Sequence, residues 1–288
     1  MLPLPGAPDR ALVLTPARRG LFLCNRHDIV GYALIEFGEW AEPEVALLTA
    51  LLQPGDIAIE CGAHIGTLTI PMARAVGPQG SVHAFEAQPY FARLLDANLA
   101  LNAIGNAAMR NVVVGRDRGV VRLPPIEYDQ PVNFAGLSLA GLPTDGGGSG
   151  TALPVRSLDR LCATLDRLNL IKLDIEEMEP AALAGAVGLL DRFRPIVYCE
   201  ARSAPTFAAV REILTARGYK LYWHAFRGYS PDNYRGNPEN RFGAQGDVNL
   251  LALPPGMGEP ARGLPPATDF AAVERIWPGI LGPAGKTV

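Results

Sequence analysis

The sequence predicts an α/β fold: a doubly wound, mostly parallel sheet of the Rossmann-like kind, preceded by an N-terminal cap. Short apolar segments with the composition of strands alternate with helical patterns from residue 55 onward. This alternation is typical of a parallel sheet that helices cover on both faces. A turn with two glycines, Gly62 and Gly66, follows the first of these strands, and Glu86 ends the second. Strand ends of this kind form the ligand site in doubly wound folds.

Composition indicates a globular protein of one or two domains, since 48% of the 288 residues are hydrophobic. The net charge of −3 argues against a nucleic-acid surface, which usually needs a basic excess. No apolar run reaches transmembrane length, and residues 1–6 lack the basic and apolar regions of a secretion signal. We therefore expect a cytoplasmic protein with no membrane span and no nucleic-acid partner.

The cysteines and histidines give no metal signal. His64 and His224 are isolated, and we expect structural or pocket-wall roles for them rather than metal binding. The four cysteines are scattered without metal-site spacing and are interpreted as reduced, buried thiols. They are Cys24, Cys61, Cys162 and Cys199.

The chain divides into three predicted parts. Residues 1–54 form the cap segment, in which Pro43 opens a helix. Residues 55–253 form the ligand-binding domain. Residues 254–288 form a tail rich in proline and glycine, which we expect to lie on the surface or to be partly mobile.

Seven strands are predicted for the sheet, at residues 57–61, 81–86, 109–114, 170–175, 195–200, 220–223 and 248–253. Four helices are predicted to cover it, at residues 67–76, 90–101, 181–190 and 206–216. Between the third and fourth strands, residues 120–123 have the pattern of a short hairpin strand, and residues 145–150 that of a flexible linker. A surface loop without chemistry is favoured there over a substrate lid.

The turn after the first strand is the strongest functional signal. Its spacing is acid-x-Gly-x-x-x-Gly rather than the G-x-G-x-x-G of dinucleotide sites. Glycine lets the backbone approach a ligand, and the following helix offers free N–H groups. The spacing favours S-adenosylmethionine, with the acid accepting the ligand's ammonium group directly or through water. Another nucleotide, or no ligand, stays an alternative. The predicted cofactor residues here are Glu60, Gly62, Ala63, His64, Gly66 and Thr67.

Glu86 is a second cofactor signal, because it ends the second strand twenty residues after Gly66. Doubly wound folds place at this spacing an acid that accepts the ribose hydroxyls. The neighbouring Ala87 is included in the predicted cofactor site. The alternative is a solvated acid at a strand end, and Glu86 alone does not separate S-adenosylmethionine from NAD.

Four acids in six residues follow the fourth strand: Asp174, Glu176, Glu177 and Glu179. Asp174 lies at the end of that strand, beside the predicted ligand edge of the sheet. Asp174 or Glu176 is the candidate general base for a substrate hydroxyl. Glu177 and Glu179 are explained more simply as acids that favour a helix N-terminus.

Residues 226–247 form a long polar and aromatic segment. Its amides and rings, including Asn233 and Tyr234, suit the binding of a hydroxyl-rich acceptor. An ordered surface loop, or a contact within a homo-oligomer, explains the same composition equally well.

The chain resembles the FkbM-type methyltransferases from about residue 30 to residue 253. The similar motifs are residues 56–69, 82–89, 98–102, 155–159, 171–176 and 196–200, and residues 35–40 and 233–240 also look similar. The resemblance implies a class I methyltransferase fold. It also implies methyl transfer from S-adenosylmethionine, usually to a hydroxyl of a sugar or natural product.

Two residues depart from the family pattern. Glu60 stands where the family more often has Asp, so its ligand contact would shift by one methylene or run through water. Glu177 stands where Gly is usual, and a side chain there would narrow the pocket or change the acceptor. We also expect Glu200, which ends the similar stretch 196–200, to contact the acceptor.

The sequence thus predicts a methyltransferase that uses S-adenosylmethionine to methylate a hydroxyl of a small molecule or glycan. A substrate oxygen would attack the methyl group in line, and positioning and desolvation would supply much of the acceleration. One alternative is a non-catalytic cofactor-binding or assembly protein that keeps the fold. An NAD-linked oxidoreductase is a further alternative, which the glycine spacing disfavours. No metal is expected.

Overall fold

The computed structural model describes residues 11–130, 134, 136–258 and 263–282. The N-terminal hexapeptide, from which we expect no secretion signal, lies outside this part of the chain. The predicted cap and tail therefore lie only partly within the described residues.

The elements in chain order are β1 (Leu12–Ala17), β2 (Gly20–Asn25), α1 (Ile29–Glu36), α2 (Glu42–Leu51), β3 (Ile57–Cys61), α3 (Thr69–Val76), β4 (Ser81–Glu86), α4 (Pro89–Leu101), β5 (Ala107–Asn111), β6 (Val113–Val114), β7 (Gly119–Leu123), β8 (Thr151–Arg156), α5 (Leu158–Leu161), β9 (Leu170–Leu173), α6 (Glu179–Ala184), α7 (Val187–Phe193), β10 (Ile196–Glu200), α8 (Ala204–Thr215), β11 (Lys220–Arg227), β12 (Gly246–Leu253) and α9 (Ala271–Ile276).

The central sheet has seven strands in the order β11-β12-β10-β9-β3-β4-β5. Strand β12 is antiparallel to both of its neighbours, and the other pairs are parallel. The predicted fold class, a doubly wound and mostly parallel sheet, is confirmed. Every residue of β3, β9 and β10 is buried, as expected for parallel strands that have helices on both faces.

Each face of the sheet has its own core. Leu48 of α2 and Met72 of α3 share one core with Ala58 of β3. Phe207 of α8 shares the opposite core with Val197 of β10. The alternation of side chains along each strand therefore divides the strand residues between two helical layers.

The predicted third strand, residues 109–114, is two strands in the structure. Strand β5 belongs to the central sheet, whereas β6 pairs with β8 in a separate three-stranded sheet of order β6-β8-β7. The predicted hairpin strand 120–123 forms the last four residues of β7 in this second sheet. Val113 and Leu139 are buried in its core, on the side that borders the cavity described below.

The predicted helix 181–190 is divided into α6 and α7. Gly185 ends α6, and a Cβ atom at this position would lie 2.3 Å from the carbonyl oxygen of Gly115. The loop at the end of β6 therefore packs directly on the helix backbone. This contact is between residues far apart in sequence, so the local pattern does not predict the break.

The described residues 263–282 of the C-terminal tail are anchored to the core. They include α9, and Val273 and Ile280 are fully buried in the core beneath α8 and β11. Pro266 forms a β-bridge with Tyr222 of the edge strand β11. Residues 263–282 therefore lie along the surface with a few buried side chains that anchor them, and the expectation of a partly mobile tail stays a prediction.

No helix within the described ranges is long and apolar enough to cross a lipid bilayer. The parallel strands β3, β4, β9 and β10 all end at the same edge of the sheet. The residues that follow these strand ends, together with the cap, enclose the candidate site.

Candidate functional site

A cavity lies at the carboxyl ends of the parallel strands, where ligands bind in open α/β sheets. Most of the predicted site residues line it. These are Glu60, Gly62, Ala63, His64, Thr67, Glu86, Ala87, Asp174, Glu176 and Glu200. Three predicted residues, Gly66, Asn233 and Tyr234, are not among the residues that line it.

The two glycines of the turn permit close packing of the backbone. Gly62 has φ +79°, and a Cβ atom there would lie 1.8 Å from the carbonyl oxygen of Asp174. Gly66 has φ +91°, and a Cβ atom there would lie 2.6 Å from Leu95 of α4. Gly62 therefore requires glycine because backbone atoms occupy the space of a Cβ atom, and Gly66 is favoured by its positive φ. That they let a ligand approach stays a prediction.

Glu86 is held in one orientation by two backbone N–H groups. Its Oε2 accepts from His64 at 2.8 Å, and its Oε1 accepts from Gln88 at 2.8 Å. Burial raises the pKa of this carboxyl, while His64 and the two N–H donors oppose that rise. Each oxygen keeps a lone pair for a further donor, so Glu86 is prepared to accept two ligand hydroxyls.

His64 forms part of the cavity wall. Its backbone takes the left-handed conformation, with φ +48°. The ring lies 3.9 Å from the ring of Phe91, centre to centre, and its Nε2 is 3.5 Å from Oδ2 of Asp28. Neither ring nitrogen has a hydrogen-bond partner among the described residues. The position agrees with the predicted pocket-wall role.

Glu60 is buried at the end of β3, where its Oε2 accepts the Thr69 hydroxyl at 2.5 Å. Burial raises its pKa to about 7, and the charge of Lys172 and the bond from Thr69 oppose that rise. The acid therefore lies in the cavity wall with one oxygen bound to α3, and it can still accept a donor from a ligand.

Lys172 is a site residue that the sequence analysis did not identify. It is buried on β9 directly beside Glu60, and both side chains lie on the same face of the sheet. Its Nζ donates to Oδ2 of Asp174 at 3.1 Å. The nearby carboxylates of Asp174, Glu44 and Glu60 outweigh the effect of burial and raise the pKa of the ammonium group. The sequence feature that could have predicted this charge network is a lysine within an otherwise apolar strand.

Asp174, Glu176 and Glu200 bring three carboxylates together beside Lys172. Oxygen atoms of the three lie within 4.8 Å of one another. Burial, followed by the neighbouring carboxylates, raises the pKa of both Glu176 and Glu200. Arg202 lies 3.8 Å from Glu200. Three oxygens at this spacing could hold a metal ion, and the expectation of no metal stays a prediction.

Glu177 and Glu179 lie beside this cluster and have different roles. Glu177 has φ +72°, a conformation that glycine adopts without strain, and its side chain is exposed. It does not line the cavity, so the expected narrowing of the pocket does not occur at this residue. Glu179 is buried in the first turn of α6, as predicted for an acid near a helix N-terminus, but its Oε1 accepts the N–H of Ile175 at 2.8 Å in the preceding loop instead of capping α6.

The loop between β11 and β12 contributes to the cavity through its two ends and the start of β12 rather than its middle. Asn233 is buried and donates to the carbonyls of Ser230 at 2.9 Å and Asn237 at 2.8 Å. Tyr234 is 55% exposed. The residues from this end of the fold that line the cavity are Gly228, Phe242, Gln245, Gly246 and Asp247.

The cap also contributes residues that the sequence analysis did not identify. Trp40 and Glu44 both line the cavity. Glu44 is 4% exposed, and its Oε1 has no hydrogen-bond partner among the described residues. Burial raises its pKa to about 8. An acid in the first turn of a helix is ordinary, so nothing local in the sequence marks this residue.

Solved methyltransferases are similar to this chain at low identity. The methyltransferase FkbM of Methylobacillus flagellatus has 18% identity and a TM-score of 0.45, over 70% of this chain and 45% of that protein. The O-methyltransferase TomG of Streptomyces achromogenes, solved with S-adenosylmethionine, has 16% identity and a TM-score of 0.44, over 74% and 79%. An S-adenosylmethionine-dependent O-methyltransferase of Thermotoga maritima has 15% identity and a TM-score of 0.42, over 74% and 64%. This chain thus spans less than half of the Methylobacillus protein.

No curated protein matches this chain. The methyltransferase FkbM domain matches residues 60–221, which is more than half of the 288 residues. The matched region begins at Glu60 and contains the glycine turn, Glu86 and the acidic cluster. The chain therefore belongs to the FkbM methyltransferase domain family.

Proposed function

We propose that this protein transfers the methyl group of S-adenosylmethionine to a hydroxyl oxygen of a small natural product or sugar. The observation that carries the proposal is the placement of two sets of acids in one cavity. Glu86 is fixed by backbone N–H groups at the end of β4, and the cluster of Asp174, Glu176 and Glu200 follows β9 and β10.

The residues present fit the methyl donor. Glu86 has free lone pairs for the two ribose hydroxyls. Val113 and Leu139 supply an apolar wall beside it that suits a purine ring. Glu60 is a buried acid with no cation within 4.0 Å among the described residues, and it suits the positively charged amino acid end.

S-adenosylmethionine, when bound, supplies a methyl group that its positive sulfur has already activated. The protein must therefore exclude water, align the acceptor oxygen with the methyl carbon and take up the hydroxyl proton. Asp174 or Glu176 takes that proton. The raised pKa of Glu176 suits this role, because a base is most effective when its pKa is near the working pH.

The acceptor site lies toward β10 and β12 in this proposal. Trp40 and Phe242 provide aromatic surface, and Glu200, Arg202 and Gln245 provide polar groups. This mixture suits a molecule with several hydroxyl groups on an apolar frame. Asn233 and Tyr234 are not part of the cavity wall, so the proposed acceptor site does not include them.

The experiment that tests the function is turnover. The protein would be incubated with S-adenosylmethionine and a panel of sugars and hydroxylated metabolites, and formation of S-adenosylhomocysteine would be followed by mass spectrometry. We expect formation that depends on the acceptor. Tight binding of the donor without turnover on any acceptor would favour the alternative, a non-catalytic protein that keeps the fold.

A cytoplasmic location and a homo-oligomer remain predictions. The four cysteines are free and buried, which supports a reducing compartment. Light scattering of the purified protein would give the molecular mass in solution and test for an oligomer.

A further inference from the structure

Glu44 is a buried carboxylate with one oxygen, Oε1, that faces no hydrogen-bond donor of the described residues. It is 4% exposed, lines the cavity, and has no hydrogen-bond partner at Oε1 among the described residues. An unpaired buried carboxylate is costly. An unpaired oxygen that faces a cavity can accept a bond from a ligand.

The packing of α2 places Glu44 above the first strand of the site. Val45 and Leu48 share a core with Ala58 and Leu170. Ala58 and Leu170 lie two residues before Glu60 and Lys172 on the same face of β3 and β9. Glu44 precedes Val45 and lines the same cavity as Glu60 and Lys172, so it stands at the carboxyl end of that face.

The charges at this end of the cavity do not balance. Glu44, Glu60 and Asp174 supply three carboxylates, and Lys172 supplies one ammonium group. Lys172 Nζ makes its short contact with Asp174, at 3.1 Å. Among the described residues no cation lies within 4.0 Å of the Glu44 carboxylate, so a cationic ligand group fits beside it.

The position of Glu86 decides which ligand group this is. If Glu86 accepts the ribose hydroxyls at the end of β4, the amino acid end of the methyl donor extends toward β3 and β9. This step rests on the proposed function. We infer that Glu44 binds the α-ammonium group of the methionine part of the donor. The cap, which lies outside the matched residues 60–221, thereby forms part of the donor site.

Two ligands separate this role from a merely structural one. S-adenosylhomocysteine carries the amino acid, whereas 5′-deoxy-5′-methylthioadenosine keeps the adenosine and the sulfur without it. We expect Glu44→Gln to weaken binding of S-adenosylhomocysteine by about tenfold or more, since a charge-assisted bond is lost. Binding of methylthioadenosine should change by less than about twofold. Calorimetry measures both affinities.

Glu42→Gln is the matched control. It removes the same charge from the same helix, but Glu42 pairs with Arg19 at 2.7 Å and does not line the cavity. It should leave both affinities unchanged. Thermal unfolding checks that the variants fold, and Glu44→Gln, which keeps the volume of the side chain, should be about as stable as the parent. Glu44→Met, an apolar side chain of similar length, repeats the test if Glu44→Gln does not fold.

Two results would overturn the inference alone. In one, Glu44→Gln binds S-adenosylhomocysteine as tightly as the parent. In the other, both ligands weaken equally. Failure of the parent protein to bind either ligand would instead contradict the proposed function, and the inference with it.

Discussion

The side chain of Glu86 accepts the backbone N–H of His64 at 2.8 Å, so the acid that ends β4 is tied to the turn that follows β3. The N–H of Gln88 holds the other carboxylate oxygen at 2.8 Å. These bonds fix the acid before any ligand binds, and a fixed acceptor loses little conformational entropy on binding.

Replacement of Glu86 should therefore weaken the methyl-donor site. We expect Glu86→Ala to reduce the affinity for S-adenosylhomocysteine by about 1–3 kcal/mol, because two ribose donors lose a charged acceptor. Asp117→Ala, which removes an acid whose side chain is 85% exposed, is the control and should have no effect. Calorimetry measures the difference. Equal affinities of Glu86→Ala and the parent protein would place the ribose elsewhere.

The acidic cluster should act on the acceptor rather than on the fold. We expect Asp174→Asn and Glu176→Gln to keep donor binding, and at least one to lose turnover by about 10²-fold or more. Glu177→Gln changes an exposed neighbouring acid outside the cavity and should keep full turnover. Steady-state kinetics and calorimetry on the same preparations provide the comparison. If both variants turn over like the parent, the base is another residue or no base is needed.

We expect the affinity for the methyl donor to increase with pH. Burial raises the pKa of Glu44 to about 8 and that of Glu60 to about 7. Lys172 opposes this rise, whereas Asp174 adds to it for both acids. An ammonium group favours the ionised carboxylates, so binding releases protons wherever the free acids hold them.

The affinity for S-adenosylhomocysteine should therefore rise from about pH 6 to about pH 8. Asp247 adds to the pKa rise of Glu44. Asp247 is half-buried and has a pKa of about 6, so its own titration contributes to the slope near pH 6. Glu44→Gln should flatten the upper part of the profile. Calorimetric titrations at a series of pH values measure the slope, and an affinity that falls with rising pH would contradict this account.

The loop between β11 and β12 should divide into a structural part and an acceptor part. Asn233 bridges two carbonyls of its own loop, so Asn233→Ala should lower the unfolding temperature and leave the donor affinity unchanged. Gln245 lines the cavity, and Gln245→Ala should raise the KM for the acceptor. Thermal unfolding and steady-state kinetics measure the two effects. If Asn233→Ala instead raised the KM for the acceptor and left the unfolding temperature unchanged, Asn233 would belong to the acceptor site.

Local sequence patterns predicted the central sheet well. The strands β3, β9 and β10 lie at apolar runs because burial on both faces demands them, whereas the edge strands β5 and β11 are only partly buried. The break at Gly185 and the packing of Val273 were not predictable in this way. Both depend on contacts with residues far along the chain, which a local pattern does not contain.

The same distinction between local patterns and distant contacts applies to the residues of the candidate site. Glu60, Glu86 and Asp174 were identified because they end strands of a doubly wound sheet, where topology alone brings side chains together. Glu44 was not identified, because its place in the cavity depends on how α2 packs on the sheet. Asn233 was chosen for its chemistry, and the structure uses that amide within the loop.

The most direct test of the central claim is a calorimetric titration of the unmodified protein with S-adenosylhomocysteine and, separately, with NAD. The account predicts saturable binding of S-adenosylhomocysteine at one site per chain, and no binding of NAD. Tight binding of NAD with no response to S-adenosylhomocysteine would contradict it.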